Sequence, residues 1–229
     1  DISDRTPGFM LRGRINGAGT AVEFVRVTDE NNSIDIQWYV AEFSSGVSVQ
    51  RGEVTQSNAT LNVPISAVAA TNQAFVTWSK TPAATDSGFS SDDPILGVLT
   101  STSNLQFRAN AANNNHTIAW QVVEFTNAAD INVQTGSTAL RGATSSGDVA
   151  LGTAVNTART FVLAGYRSPD SGNAIGERML RAQLLNANTL RFDRDRTGDN
   201  IDEIVWQAVE IKDGTTVQHA SEHFNNNDP

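Results

Sequence analysis

Residues 34–43 read IDIQWYVAEF, residues 118–125 read IAWQVVEF and residues 204–211 read IVWQAVEI. One pattern is written three times, each time with a Trp and, four residues on, a Glu. The Trp residues, Trp38, Trp120 and Trp206, are 82 and 86 residues apart. Other landmarks keep the same period: Phe24, Phe107 and Phe192; Gln50, Gln134 and Gln218; Phe75 and Phe161. Self-similarity at a fixed spacing is the mark of a repeated structural unit.

Within one period the order is constant. A segment such as LNVPISAV is followed by AFVTWSK or TFVLAGYR and a long polar loop. Next come FMLRGRI, PILGVLT or RMLRAQLL, then AVEFVR, LQFRAN or LRFDRD, a polar hairpin and the I-x-W segment. VSVQRG, INVQTG or TTVQHA closes the unit. About six short strands per period is the spacing of an antiparallel sandwich. ERMLRAQLLNA alone has helical propensity, but its counterparts carry Gly and β-branched residues, so a strand is expected in all three. The fold class is therefore all-β: tandem antiparallel β-sandwich modules with an internal repeat of about 84 residues, one terminal module being incomplete. The expected boundaries are a partial repeat at 1–58 and whole repeats at 59–142 and 143–229.

Side chains alternate faces along a strand. Ile36, Trp38 and Val40 share one face with Glu42; Gln37, Tyr39 and Ala41 share the other with Phe43. The apolar side switches partway along, as in a strand that passes from its own core to a partner or one that carries a bulge. The three Trp are expected in module cores, each able to bury on the order of 200 Å². The recurring Glu, at Glu42, Glu124 and Glu210, is expected to be a rim carboxylate serving a neighbouring loop or an Arg such as Arg51, rather than part of a site.

The totals narrow the function. The chain has 229 residues, a net charge of −9 and only 18% charged residues. Nucleic-acid binding needs a basic surface and is not expected. No apolar run reaches the roughly 18 residues that span a bilayer. With no Cys, disulfides and thiolate chemistry are excluded. DISDRTPGF lacks the basic start and apolar stretch of a signal peptide.

Candidate chemistry is sparse. HASEH, residues 219–223, spells an inverted zinc-protease motif, but it follows a strand, and its counterparts hold no His. FDRDRTGDNIDE, residues 192–203, gathers Asp193, Asp195, Asp199, Asp202 and Glu203, yet lacks the terminal Glu of a calcium loop. It reads as a solvated hairpin that alternates Arg and Asp. His116 reads as a surface residue of the hairpin NNNHT. Sequons start at Asn31, Asn58 and Asn115, in expected loops. No catalytic, cofactor-binding or metal-binding residue is singled out, no cofactor is expected, and the chain reads as a non-enzyme. A polysaccharide hydrolase would need two spaced carboxylates in a cleft, and no such pair stands out.

The order Phe161, Arg178-Met-Leu, Leu190-Arg-Phe192 and Ile204-Val-Trp206 resembles the H-type lectin module over about 45 residues per unit. It departs after the Trp, where a Glu and a V-x-V-Q strand follow. The resemblance implies a six-stranded sandwich that oligomerises and binds glycans; no sugar-binding residue is carried over.

The expected role is a structural subunit of an extracellular or cell-surface assembly: a filament, sheath, surface layer or virion appendage. Subunits would join by strand sharing, because an unfinished sandwich exposes a backbone edge. The expected partner is self, as homopolymer or homo-oligomer, with glycans as a further partner and neither nucleic acid nor membrane insertion. The alternative is a carbohydrate-binding adhesin or lectin in which Trp78, Tyr39 and Tyr166 stack on sugars.

Overall fold

The computed structural model describes residues 6–28, 33–86, 88–171 and 175–222. Apart from a helical turn at Thr6–Phe9 and three short 3-10 turns, its regular structure is β. The strands are β1 (Arg12–Ile15), β2 (Val22–Val25), β3 (Val47–Gln56), β4 (Thr60–Pro64), β5 (Ala74–Thr81), β6 (Leu96–Ser101) and β7 (Asn104–Arg108). They continue with β8 (His116–Phe125), β9 (Ile131–Leu140), β10 (Ser146–Ala150), β11 (Thr160–Arg167), β12 (Arg181–Asn186), β13 (Thr189–Asp193) and β14 (Ile201–Ile211).

Small antiparallel sheets come in pairs. β3-β8-β5 is joined with β4-β7-β6, and β9-β14-β11 with β10-β13-β12, while β1-β2 is a lone hairpin. The I-x-W strand is the centre of one sheet in each pair, and the aromatic strand β7 or β13 is the centre of the other. β3, the V-x-V-Q strand that sequence order places at the close of the first unit, pairs along its whole length with β8. The segment around RMLRAQLL forms the strand β12.

The switch of apolar face along the I-x-W strand has a direct cause. Ile118, Trp120 and Val122 of β8 enter the first core with Leu105, Phe107 and Val76. Ile204, Trp206 and Ala208 of β14 enter the second, with Leu190 and Phe192. The opposite faces, Val123 and Phe125 of β8 and Val209 and Ile211 of β14, enter a third cluster drawn from both sheet pairs. A strand buried on both faces loses the simple alternation of a half-exposed one.

The stretch at residues 34–43 departs from this. Residues 34–43 form no strand, and Trp38 is 56% exposed, against 9% for Trp120 and 5% for Trp206. The expectation that Trp38 fills a module core is thus corrected. β8 and β14 each lie between two neighbours, whereas among the described residues no strand of either flanking type pairs with residues 34–43. The Trp38 indole stands tilted against Phe24, ring centroids 6.5 Å apart.

Each buried Trp lies across a glycine of the V-x-V-Q strand. Trp120 is opposite Gly52 and Trp206 opposite Gly136. A Cβ on Gly136 would fall 2.4 Å from Trp206 Cζ2, and one on Gly52 would fall 2.6 Å from Trp120 Cζ2. The glycine is required by the indole, not by the backbone angles. Gly136→Ala is therefore expected to cost about 1–3 kcal/mol by overpacking, lowering Tm by roughly 2–4 °C per kcal/mol. Gly17→Ala, with nothing within 4 Å of the added carbon, is the control. Equal melting of the two variants would refute this account of the Gly–Trp pairs.

Candidate functional site at the edges of the sheet pairs

The two sheet pairs are joined through a strand edge. β5 is bonded to β8 on one side only. Its other edge meets Gln207 of β14: Val76 N donates to Gln207 Oε1 at 2.8 Å, and Gln207 Nε2 donates to the Val76 carbonyl at 3.0 Å. Both residues are buried. One side-chain amide thus stands in for the neighbouring strand that this edge lacks. Phe75 and Phe161 meet edge-to-face beside it, centroids 5.6 Å apart. Trp78 packs on Phe107 and over Gly165, where a Cβ would lie 2.5 Å from its Cζ2. At the rim, Glu203 accepts from both Arg108 and Arg167 at 2.8 Å, and Arg167 also donates to Asn110 at 3.0 Å.

The same parts recur at both extremities without a partner. Gln121 follows Trp120 as Gln207 follows Trp206, yet its amide has no hydrogen bond among the described residues. It lines an open groove of about 790 Å³ between the β1-β2 hairpin and β3-β8-β5. The hairpin is fixed there by Ser79, whose hydroxyl meets Gly13 N and O at 3.0 Å, and by Arg12, which bonds Thr81 at 2.9 Å and Glu53 at 3.0 Å. On the far side, Val162 of β11 faces Ala208 as Val76 faces Val122, and among the described residues β11 is paired only to β14.

The repeated Gln and Glu serve the loop after the second strand of each pair. Gln50 exchanges two bonds of 2.8 Å with Ser66 N and O, and Glu124 accepts from Ala69 N at 2.6 Å. Gln134 does the same with Thr153 at 2.9 and 3.0 Å, and Glu210 accepts from Asn156 N at 2.9 Å. Glu124 and Glu210 are loop-capping acceptors. Glu42 and Gln218 have no such partner among the described residues, and both are exposed. Val217 N still reaches the Ala158 carbonyl at 2.7 Å, so the stretch after β14 lies beside the loop before β11.

The remaining candidates fall elsewhere. His219 contacts the Thr157 carbonyl at 3.1 Å, and His223 lies outside the described residues. In the acidic hairpin Asp193 is held by Arg181, Asp199 by Arg178, Asp202 by Arg141, Glu203 by Arg167 and Asp195 by Arg196. Tyr166 is half-buried, with its phenol pushed up to about 12 by burial, and Tyr39 is 92% exposed. Asn58 and Asn115 are exposed, and Asn31 lies outside the described residues.

The expectation of a surface His116 is corrected: it is 1% exposed. The polar run NNNHT suggested a solvated hairpin, but β8 begins at His116 and a loop carrying Asp86, Asp92 and Asp93 folds over it. Burial draws the Lys80 ammonium down to about 8 against the pull of Asp93, Asp92 and Asp86. Burial, with the charge of Asp93 adding, pushes Asp86 up to about 6. Sequence reasoning missed this group because its members lie in three segments; the adjacent Asp92-Asp93 before an apolar strand was the signal available.

No family model, no curated protein and no solved structure matches the chain. Among the described residues no helix is long and apolar enough to cross a membrane.

Gln207→Met keeps the length of the side chain and leaves two buried backbone groups of Val76 unpaired. It is expected to cost about 3 kcal/mol. Gln121→Met in the isolated chain is expected to change stability by less than about 0.5 kcal/mol. Denaturant melts of both variants check this, and similar losses would mean that the Gln207 amide does not bind the pairs together.

Proposed function

We propose that the chain is a structural subunit of an extracellular or cell-surface assembly whose copies join end to end by sharing β-strands. The observation that carries this reading is the idle pair Glu42 and Gln218. Wherever a V-x-V-Q strand meets an I-x-W strand, its Gln and the Glu of the partner fasten one loop. Residues 34–43 carry the I-x-W sequence without a V-x-V-Q strand beside it, and residues 215–222 carry the V-x-V-Q counterpart without an I-x-W strand.

The registers within the chain define the proposed contact. Gln134 faces Ala208 and Val133 faces Val209. By the same offset Gln218 of one copy faces Val40 of the next, and Val217 faces Ala41. Main-chain bonds of an added strand supply affinity, while alternate side chains supply register. The apolar side chains that such a contact would shield are the exposed ones: Ile36, Trp38, Val40 and Phe43. Ala220 falls opposite Trp38, where Gly52 and Gly136 stand in the paired copies. The extracellular placement is supported by the low charge and by the exposed sequons at Asn58 and Asn115.

A second reading is favoured by Trp38 and Tyr39, whose adjacent exposed rings suit sugar stacking. A glycan array is its test, and binding lost in Tyr39→Ala would support it.

Light scattering and negative-stain microscopy across a concentration series test the assembly. Linear oligomers that shorten on adding a peptide of residues 215–222, but not a scrambled one, are expected. Ala220→Gly is expected to lengthen them by admitting the indole. A chain that stays monomeric at its highest soluble concentration, or oligomers that survive deletion of residues 215–222 unchanged, would overturn the proposal.

A further inference from the structure

We infer that Asp86, Asp93 and His116 form a buried site for one divalent cation of the zinc or manganese type, which fixes the loop between β5 and β6. One donor atom from each residue lies within 4.8 Å of the others. An ion about 2.0–2.2 Å from each ligand requires ligand atoms no more than about 4.4 Å apart, which a small adjustment of the cluster satisfies.

The argument rests on how each side chain divides its polar atoms. Asp86 accepts through Oδ1 from Asn114 Nδ2 at 3.1 Å and Gly88 N at 3.5 Å, and its Oδ2 has no hydrogen bond. Asp93 accepts through Oδ2 from Ser90 N at 2.7 Å; its Oδ1 has none and stands 3.6 Å from Lys80 Nζ. His116 meets Lys80 through Nδ1 at 3.2 Å; its Nε2 has no hydrogen bond and stands 3.8 Å from Asp92 Oδ2. All three residues are more than nine-tenths buried, at 6%, 1% and 1% exposure. Asp86 and Asp93 are each braced through one oxygen and left bare at the other, as metal ligands are when an outer shell orients them. For His116 Nε2 to ligate, the ring proton must sit on Nδ1, so the Lys80 ammonium that faces Nδ1 gives way as the ion enters.

Asp92 belongs to that outer shell. Its Oδ2 accepts from Asn114 N at 2.9 Å and Asn114 Nδ2 at 3.2 Å, and its Oδ1 accepts from the Ser90 hydroxyl. Three buried carboxylates thus face one ammonium, an imbalance that a divalent ion removes. Imidazole with carboxylates, and no thiolate, selects zinc or manganese over calcium or magnesium.

The other sheet pair shows the alternative solution. Gly97 and Ala182 stand opposite Phe107 and Phe192 in the same register, and four residues before them come Asp93 and Arg178. Arg178 is fully buried, pairs with Asp199 at 3.1 Å and donates to the Asp170 and Phe89 carbonyls at 2.9 and 3.0 Å. A covalently attached cation anchors that loop, whereas its counterpart presents ligands for one. Phe89, which receives Arg178 through both carbonyl and ring face, belongs to the loop that the ion would hold.

The test uses the whole chain after dialysis against EDTA. Zn²⁺ is titrated while the imidazole nitrogens of the three His are followed by NMR, with Mn²⁺ binding read by electron paramagnetic resonance. Saturable 1:1 binding that shifts the His116 resonances and leaves those of His219 and His223 in place is expected, with a rise in Tm that EDTA reverses. Asp86→Asn and Asp93→Asn, checked for folding by circular dichroism, are expected to weaken Mn²⁺ binding by roughly tenfold or more. Lys80→Met, which removes the competing cation, is expected to tighten it. The site is refuted if neither ion binds saturably. It is equally refuted if His116 stays unperturbed, or if Asp195→Asn in the acidic hairpin abolishes binding that Asp86→Asn leaves intact.

Discussion

The constraint that organises this protein is the open edge of a three-stranded sheet. An edge strand carries a row of unbonded N–H and C=O groups, and burying them unpaired costs about 1–3 kcal/mol each. β5 has such an edge, buried at Val76. The solution is one glutamine, Gln207, whose donor and acceptor match both groups of Val76. The two sheet pairs meet there without merging their sheets, and the third apolar cluster and the Phe75–Phe161 contact gather around the same junction. The device is directional, since an amide on one pair needs an open edge on the other. The leftover parts are therefore a Gln on one side, Gln121, and an edge on the other, β11.

A second constraint is the fit of indole to glycine. Trp120 and Trp206 are large for these small cores, and they lie against Gly52 and Gly136. The fit has a cost, because the indole N–H of each is buried with no hydrogen-bond partner. The apolar area each ring buries offsets that penalty. Trp38, with no such glycine beneath it, remains largely exposed. The contrast shows that the motif alone does not create a core position; the flanking strands do.

Buried charge follows a different rule in each pair. Around Arg178 and Arg194 the guanidinium groups find carbonyls and carboxylates enough to satisfy most of their donors. Around Lys80 the carboxylates outnumber the cation, and two oxygens, Asp86 Oδ2 and Asp93 Oδ1, are bare. Both loops lie where a long excursion must be tied down, and the chemistry available to tie them differs by the exchange of Asp93 for Arg178.

By itself the sequence determined that the chain is all-β and built of small antiparallel sheets; its pattern of Phe, Trp and Val marked β7, β8, β13 and β14, but also marked residues 34–43, which form no strand. Alternation and turn residues are local properties, so they are legible in one dimension; even RMLRAQLL, with its helical propensity, contributes the strand β12. The loop-capping role of Glu124 and Glu210 was foreseen in kind, because a lone carboxylate after an apolar strand has few other uses. Only the tertiary structure decided the rest. That β3 pairs with β8, that Trp38 is exposed, that Gln207 clasps Val76 and that His116 is buried among three Asp all depend on residues far apart in the chain. Burial and pairing are properties of the neighbours a residue acquires, and no stretch of sequence carries its neighbours with it.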